Sequence, residues 1–495
     1  MRTRSSGRTG LAVVVLAATL TVLDWVPAPR AEAFPETVSR EVAVDVAGLQ
    51  AADLHAEGGR LAAERAAVTP AKVVCAPIRF TAVALTWDQA AGRSPHAVFE
   101  TGDGPGAFGP PVELHDAEGP DPGTADAARA RRATEPLWAR SARCLRFRLE
   151  VPAGVTLSNL RAVFANTSGT AGIPTKWEPA PDAAAAAVPS GDGVAGATAP
   201  TPFMTGRAGW GANEALRNCG PDYAPSLKMA FVHHTATENG YPSTESDDIV
   251  RSIYFFHTET RGWCDIAYNF LVDRFGKIFV GRFGGNNLPV IGAAQQGFNT
   301  GAVSVAGIGS YGTTAPTAMV GAIQRLLAWR LDVAHVPPKG WAWMVSGGGP
   351  NTKFPEGQGV SLPVISSHRH TGYTSCPGDT LFNQLPGIRE RANDIGLPKM
   401  WRPKQSVDTF TPGLESVVYT SSASESLNWV VTVISQETTA TMATFNRTGI
   451  SLNVEWTGMS GLFAVPSGAY DVKITAKNAA GVNARGANFV VTVSG

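Results

Sequence analysis

His233, His368 and Cys376 are the side chains of this sequence whose types suit a borderline-soft metal ion. His233 closes the apolar run Met229–His233, and His368 stands eight residues before Cys376. A catalytic zinc takes three protein ligands from nitrogen, sulfur or carboxylate donors and keeps its fourth position for water. Two imidazoles and a thiolate meet that requirement. The sulfur must be outside any disulfide, because a ligating thiol has to be deprotonated and unpaired. His233 or His234 also reads as a hydrogen-bonded core histidine, and with nine histidines in the chain a chance triplet is an open alternative.

Ligands so far apart in sequence need a folded layer to bring them together, and the residues around them carry its pattern. Met229–His233, Ile266–Asp273, Lys277–Gly281 and Ala302–Ile308 are apolar and partly β-branched, which predicts strands. Between them Ile249, Ile253 and Phe256, and later Val320, Ile323, Leu327 and Leu331, recur at helical spacing. A third helix is expected to carry Leu381, Leu385 and Ile388. Residues 206–397 thus predict an α/β domain, a mixed β-sheet flanked by helices. The Gly-rich stretch Ser346–Gly349, followed by Pro355–Gly359, reads as a hairpin loop before the strand leading to His368, with a mobile flap as the alternative.

At 495 residues the chain is too long for one core and suggests two to four domains. Lys and Arg total 41 against 41 Asp and Glu, so nothing in the totals points to nucleic acid as a partner. Arg2, Arg4 and Arg8, the apolar run Leu11–Leu23 and the small-x-small Ala31-Glu32-Ala33 read as an export signal over residues 1–33. That run is shorter than the roughly 20 residues a membrane span needs, so no integral membrane segment is expected after cleavage. A secreted, cell-wall-associated monomer is the expectation. Export permits disulfides: Cys75 and Cys144 share one expected domain and Cys219 and Cys264 the next, leaving Cys376 as the odd one.

Phe80–Trp87, His96–Glu100, Leu145–Val151 and Leu160–Ala165, separated by Gly, Pro and Asp clusters, predict an N-terminal β-sandwich-like domain over 34–170. The Ala- and Pro-rich stretch 171–205 reads as a linker. Over 405–495, Tyr470, Val472, Ile474 and Ala476 alternate with polar residues, and Asn428–Ile434 and Leu452–Trp456 look like further strands. The run Val465 to Tyr470 and Ala480-Gly481 resemble the closing strands of immunoglobulin-like modules, so a C-terminal immunoglobulin-like β-domain is expected.

Five ordered motifs go further. They are Arg207-x-x-Trp210-Gly211-Ala212, Phe231-Val232-His233-His234-Thr235-Ala236, Gly262-Trp263-x-Asp265-Ile266-Ala267-Tyr268-Asn269-Phe270, Gly297-Phe298-Asn299-Thr300, and His368-Arg369 through Cys376-Pro377-Gly378. Together they resemble the peptidoglycan recognition proteins and the phage-lysozyme-type N-acetylmuramoyl-L-alanine amidases, over about 190 of 495 residues. The resemblance implies that His233, His368 and Cys376 hold Zn2+, with His234 the other candidate for the first ligand. It implies peptidoglycan as the substrate, with zinc activating water and polarising the lactyl carbonyl. Tyr268 then donates a hydrogen bond to the developing oxyanion and Thr374 positions water or the amide. His257, Arg282, Asn299 and His234 become substrate-binding residues.

Two positions depart from the family pattern: His370 stands where an Asp is common, and Ala293 where a His is common. Retention of Cys376 favours a zinc amidase over the competing readings. Those are a non-catalytic peptidoglycan receptor on the same fold, and a wall scaffold in which the β-domains matter most.

Overall fold

A computed structural model describes residues 37–45, 67–89, 92–115, 119–152, 154–169 and 199–494. The expected export signal and most of the expected linker lie outside these residues.

Among the N-terminal strands, hydrogen bonding joins Val38–Ala43, Ser158–Asn166, Lys72–Asp88, Leu137–Val151, His96–Gly102 and Val112–His115, in that order, into one antiparallel sheet. Cys75 faces Cys144 across two of these strands, and the pair forms a disulfide. The continuous apolar run inside Lys72–Asp88 has a physical reason, since both faces of that strand are covered. Val83 and Leu85 pack with Phe99, Leu145 and Phe164. Ala82 and Ala84 turn the other way and pack, with Val163 and Ala165, against Trp210, Ile249 and Ile253 of the next region. A strand buried on both sides loses polar alternation.

The central sheet has the order Ile278–Val280, Phe270–Val272, Ala302–Gly307, Met229–His234, Ile365–Ser367. Its first pair is antiparallel and the rest are parallel, so the sheet is mixed. Leu271, Ala306 and Ile308 pack towards Ile249 and Ile253 of the helix Ser246–Phe255. Phe270, Val303 and Val305 pack towards Ile323, Leu326 and Leu327 of the helix Thr317–Val333. Two helices, Asp379–Asn383 and Leu385–Asp394, replace the single third helix of the sequence reading. Pro386 at the start of the second explains the break, because proline opens a helix readily and cannot continue one. Ser346–Gly349 lies in the loop that joins the hairpin strands Trp341–Val345 and Gly359–Pro363. The disulfide Cys219–Cys264 also forms, and Cys376 takes part in neither disulfide.

The C-terminal strands Met400–Gln405, Val417–Ser435, Gly468–Lys477, Ala487–Val493 and Thr409–Phe410 make a further sheet, with Thr441–Trp456 paired to Val417–Ser435. Tyr470, Val472, Ile474 and Ala476 are buried there, as their alternation requires. No helix among the described residues is long and apolar enough to cross a membrane.

Where the C-terminal strands meet the helix Leu385–Asp394, Lys399 is buried and its ammonium donates to the Ala392 carbonyl at 2.8 Å. Burial lowers its pKa from 10.5 to about 8, against the pull of Asp332 and Asp394. Between those two values the unfolded chain holds a proton that the folded chain has released, so stability rises with pH through the window. The expected gain is about 2 kcal/mol between pH 8 and about 9.5, below the onset of tyrosine ionisation in the unfolded chain. Denaturant midpoints across that range check it, and Lys399→Met should flatten the rise.

Candidate metal centre

Parallel pairing sets the first two members of the centre side by side. Ser367 is in register with Val232, so the residues that follow, His368 and His233, emerge at the carboxyl ends of neighbouring parallel strands. That edge is where open α/β sheets form their ligand crevices. The two imidazoles have centroids 4.8 Å apart. From His368 the chain makes one short helix, His368–Thr371, and turns back. The turn is fixed by the Arg369 N–H donating to the Cys376 carbonyl at 3.1 Å and the Cys376 N–H donating to Thr374 Oγ1 at 3.1 Å. Gly378 sits at φ +86°, where a Cβ would meet the Tyr311 carbonyl carbon at 2.4 Å, so no other residue fits the Cys-Pro-Gly turn. The outcome is that one donor atom each from His233, His368 and Cys376 lies within 4.8 Å of the others.

Consecutive strand residues point to opposite faces, which decides between the two adjacent histidines. His233 faces His368 and Cys376, with its Nδ1 3.9 Å from the sulfur. His234 points away and its Nδ1 accepts from the Tyr311 N–H at 3.4 Å, so it is the backbone of His234 that reaches the centre, its N–H donating to Cys376 Sγ at 3.3 Å and its carbonyl 3.9 Å from that sulfur. Burial holds the His233 pKa well below the usual imidazole range, with the neighbouring His368 and His234 adding to the effect. His234 is pushed down to about 3, again chiefly by burial. Both rings are therefore neutral at physiological pH, the state in which an imidazole nitrogen binds metal.

The donor set fits zinc. Two imidazoles and a thiol, with His233 Nδ1 3.9 Å from Cys376 Sγ, are the nitrogen and sulfur donors that zinc takes. Metal–ligand bonds of about 2.0–2.3 Å would bridge the triangle of donors with a small inward shift.

Tyr268 is buried beside the centre, its ring 5.7 Å from that of His233. Thr374 is half-buried, and after accepting from Cys376 its hydroxyl still has a hydrogen to donate. His370 has a structural use: its Nδ1 accepts the Ser367 N–H at 3.1 Å and caps the helix that starts with His368. Gln295, which the sequence did not mark out, anchors the same helix through the His368 carbonyl and the Thr371 hydroxyl.

Three expected substrate contacts are engaged inside the protein instead of lining an open groove. His257 lies on a π turn after Phe255, and its Nε2 meets Glu135 Oε2 at 3.3 Å while its Nδ1 accepts the Ala267 N–H at 3.1 Å. Arg282 is ion-paired with Asp126. Asn299 donates to Asp121 Oδ1 at 2.8 Å and to the Gly119 carbonyl at 3.0 Å. All three carboxylates belong to the segment between the N-terminal strands Val112–His115 and Leu137–Val151. Arg93 also stacks on Tyr373, 3.6 Å from its ring centre, in the loop that carries Cys376. The reason is packing: this side of the central region is covered by the N-terminal sheet, so its cations and amides find partners there.

Comparison with known proteins places this arrangement. A family model described as N-acetylmuramoyl-L-alanine amidase matches residues 223–379. Peptidoglycan-recognition protein SC2 of Drosophila melanogaster is 30% identical over 179 residues, 36% of this chain and 80% of that protein. The chain belongs to the peptidoglycan recognition protein and amidase family. The N-acetylmuramoyl-L-alanine amidase of Sus scrofa is 28% identical over 192 residues, 37% of this chain and 27% of that protein. Among solved structures, a mutant of Drosophila PGRP-LB in complex with tracheal cytotoxin aligns with a TM-score of 0.29 and 23% identity, covering 38% of this chain and 95% of that one. In this member of the family the matched span contains all three residues of the centre.

Proposed function

We propose that the protein is a secreted zinc amidase that hydrolyses the amide between the lactyl group of N-acetylmuramic acid and L-alanine in peptidoglycan. The observation that carries this reading is the convergence of His233, His368 and Cys376 at the carboxyl edge of the sheet. Bound by these three, zinc supplies a Lewis acid that activates water and polarises the amide carbonyl. The chain's own residues do the rest. Burial keeps His233 neutral and ready to coordinate. The His234 N–H, aimed at the sulfur, favours a ligating thiolate at Cys376. Tyr268 supplies a hydroxyl for the charge that develops on the carbonyl oxygen, and Thr374 orients the amide.

The test is mass spectrometry of purified peptidoglycan incubated with the protein, with and without a chelator. Stem peptides with a free alanine amino group should appear only without chelator. Intact muropeptides in the presence of zinc-loaded protein would leave a receptor on the same fold. Tyr268→Phe separates roles within the centre. It should keep its zinc and lose about 10²-fold in rate, the usual cost of removing one donor to a developing oxyanion. Zinc content and released peptide, measured on the same sample, check it.

A further inference from the structure

A second feature lies away from the metal centre. A cleft of about 830 Å³ opens where the start of the strand Met229–His234, the hairpin strand Trp341–Val345 and the C-terminal strand Met400–Gln405 come together. Along the hairpin strand Ala342 and Met344 are buried, while Trp341 and Trp343 on the other face are 61% and 65% exposed. Residues two apart on one strand face place the indoles about 7 Å apart. The orientation of Trp343 is fixed. Its ring lies across Gly359 of the partner strand, where a Cβ would meet the indole at 2.1 Å, so one indole face is held to the backbone and the other to solvent. Large aromatic faces held in water in this way mark an interaction surface.

Among the described residues, Lys228, Arg402 and Lys404 line the cleft and no carboxylate does. Arg402 donates to the Trp341 carbonyl at 2.7 Å. Its backbone is in the left-handed region at φ +49°, and it faces His335 at φ +53°, whose carbonyl accepts the Arg402 N–H at 2.8 Å. Two non-glycine residues in that region at one spot are costly, and such strain concentrates at binding sites.

We infer that this cleft is a binding platform for peptide-free glycan strands, the polymer left when lactyl amides have been hydrolysed. The inference rests on the amidase reading for the source of its ligand. Hydrolysis breaks the C–N bond, puts the oxygen of water on the lactyl carbonyl carbon and returns a proton to the alanine nitrogen, so each attacked muramyl residue gains a carboxylate. Pyranose rings present flat C–H faces that stack on indoles, and the new carboxylates meet Lys228, Arg402 and Lys404. Single-stranded nucleic acid also stacks on aromatic side chains over basic grooves. The balance of 41 basic against 41 acidic residues favours the sugar polymer. Lys228 and His233 are five residues apart on one extended segment, about 17 Å, so a strand held here is retained beside the metal centre and not within it.

The test measures binding of the full-length protein to glycan strands stripped of peptide by another enzyme, against the same strands with their lactyl carboxyls converted to amides. Stripped strands should bind at least about tenfold more tightly than amidated ones, and the difference should shrink in high salt. Trp341→Ala and Trp343→Ala should each weaken binding about tenfold, within the range for losing one stacked aromatic, and Lys404→Glu should weaken it in the same direction. All three should keep hydrolysis of a small soluble muropeptide unchanged. Equal binding of stripped and amidated strands overturns the inference, as do tryptophan variants that bind like wild type. It also falls if a thymidine oligonucleotide binds as tightly through the same indoles, or if sedimentation shows a dimer that Trp343→Ala dissolves. Binding needs no catalysis by this protein, so stripped-strand binding without hydrolysis defeats the amidase reading alone, and hydrolysis without binding defeats this inference alone.

Discussion

Cys376→Ser is expected to take zinc from about one ion per chain to near zero and to lower peptide release by at least about 10³-fold, because a three-ligand catalytic site rarely keeps its metal after losing one donor. The sulfur has no substitute in its surroundings. Cys376 is in a turn held by Arg369 and Thr374, and the nearest other imidazole, His234, points to the opposite face of its strand. A serine oxygen there would still accept the His234 N–H but would not be ionised at neutral pH. His368→Ala should give the same pair of losses for a different reason, since it removes the ligand whose position follows from the pairing of Ser367 with Val232. Elemental analysis and peptide release on one preparation check both, and a variant that keeps its zinc and its rate overturns the assignment of ligands.

Glu135→Ala is expected to be the most destabilising single change at the covered face, by about 3–5 kcal/mol, the usual result of removing one partner from a buried ion pair. Arg261 donates to Glu135 Oε1 at 2.7 Å and His257 meets Oε2 at 3.3 Å, all three side chains being buried. His257 is neutral here, because burial lowers its pKa and outweighs the attraction of Glu135. Since its Nδ1 accepts from Ala267, its proton is on Nε2, directed at the carboxylate. Glu135→Gln retains an acceptor and should cost less. Urea denaturation of the three proteins checks the order, and a midpoint for Glu135→Ala equal to wild type would falsify the ion-pair account.

Legibility in the sequence followed the range of the interactions. His233 could be found because an apolar run that ends in histidine is a local pattern. The pairing that sets His368 beside it could not, since the strand Ile365–Ser367 has three residues and shows no period of its own. The strand expected over Ile266–Asp273 is shorter, Phe270–Val272, for a reason visible only in space. Asp265 accepts its own neighbour's N–H at 2.7 Å and Asn269 accepts the Ser304 N–H at 2.8 Å, so side chains take over hydrogen bonding from the ladder at that end. The partner of His257, Glu135, is 122 residues away, in a stretch with no periodic signal, so nothing local to His257 shows that it is buried. Disulfide partners were easier, because each pair lies within one expected domain.

The three carboxylates that reach across to His257, Arg282 and Asn299 have a practical consequence for anyone who would isolate the central region as a shortened chain. A fragment beginning near residue 199 would bare the alanines and isoleucines that now meet Ala82 and Ala84, and would leave Arg261 and Arg282 facing water where they now face Glu135 and Asp126. Such a fragment is a different electrostatic object, with a newly cationic rim beside His233, His368 and Cys376. Its affinity for acidic peptides would then report the truncation and not the intact protein.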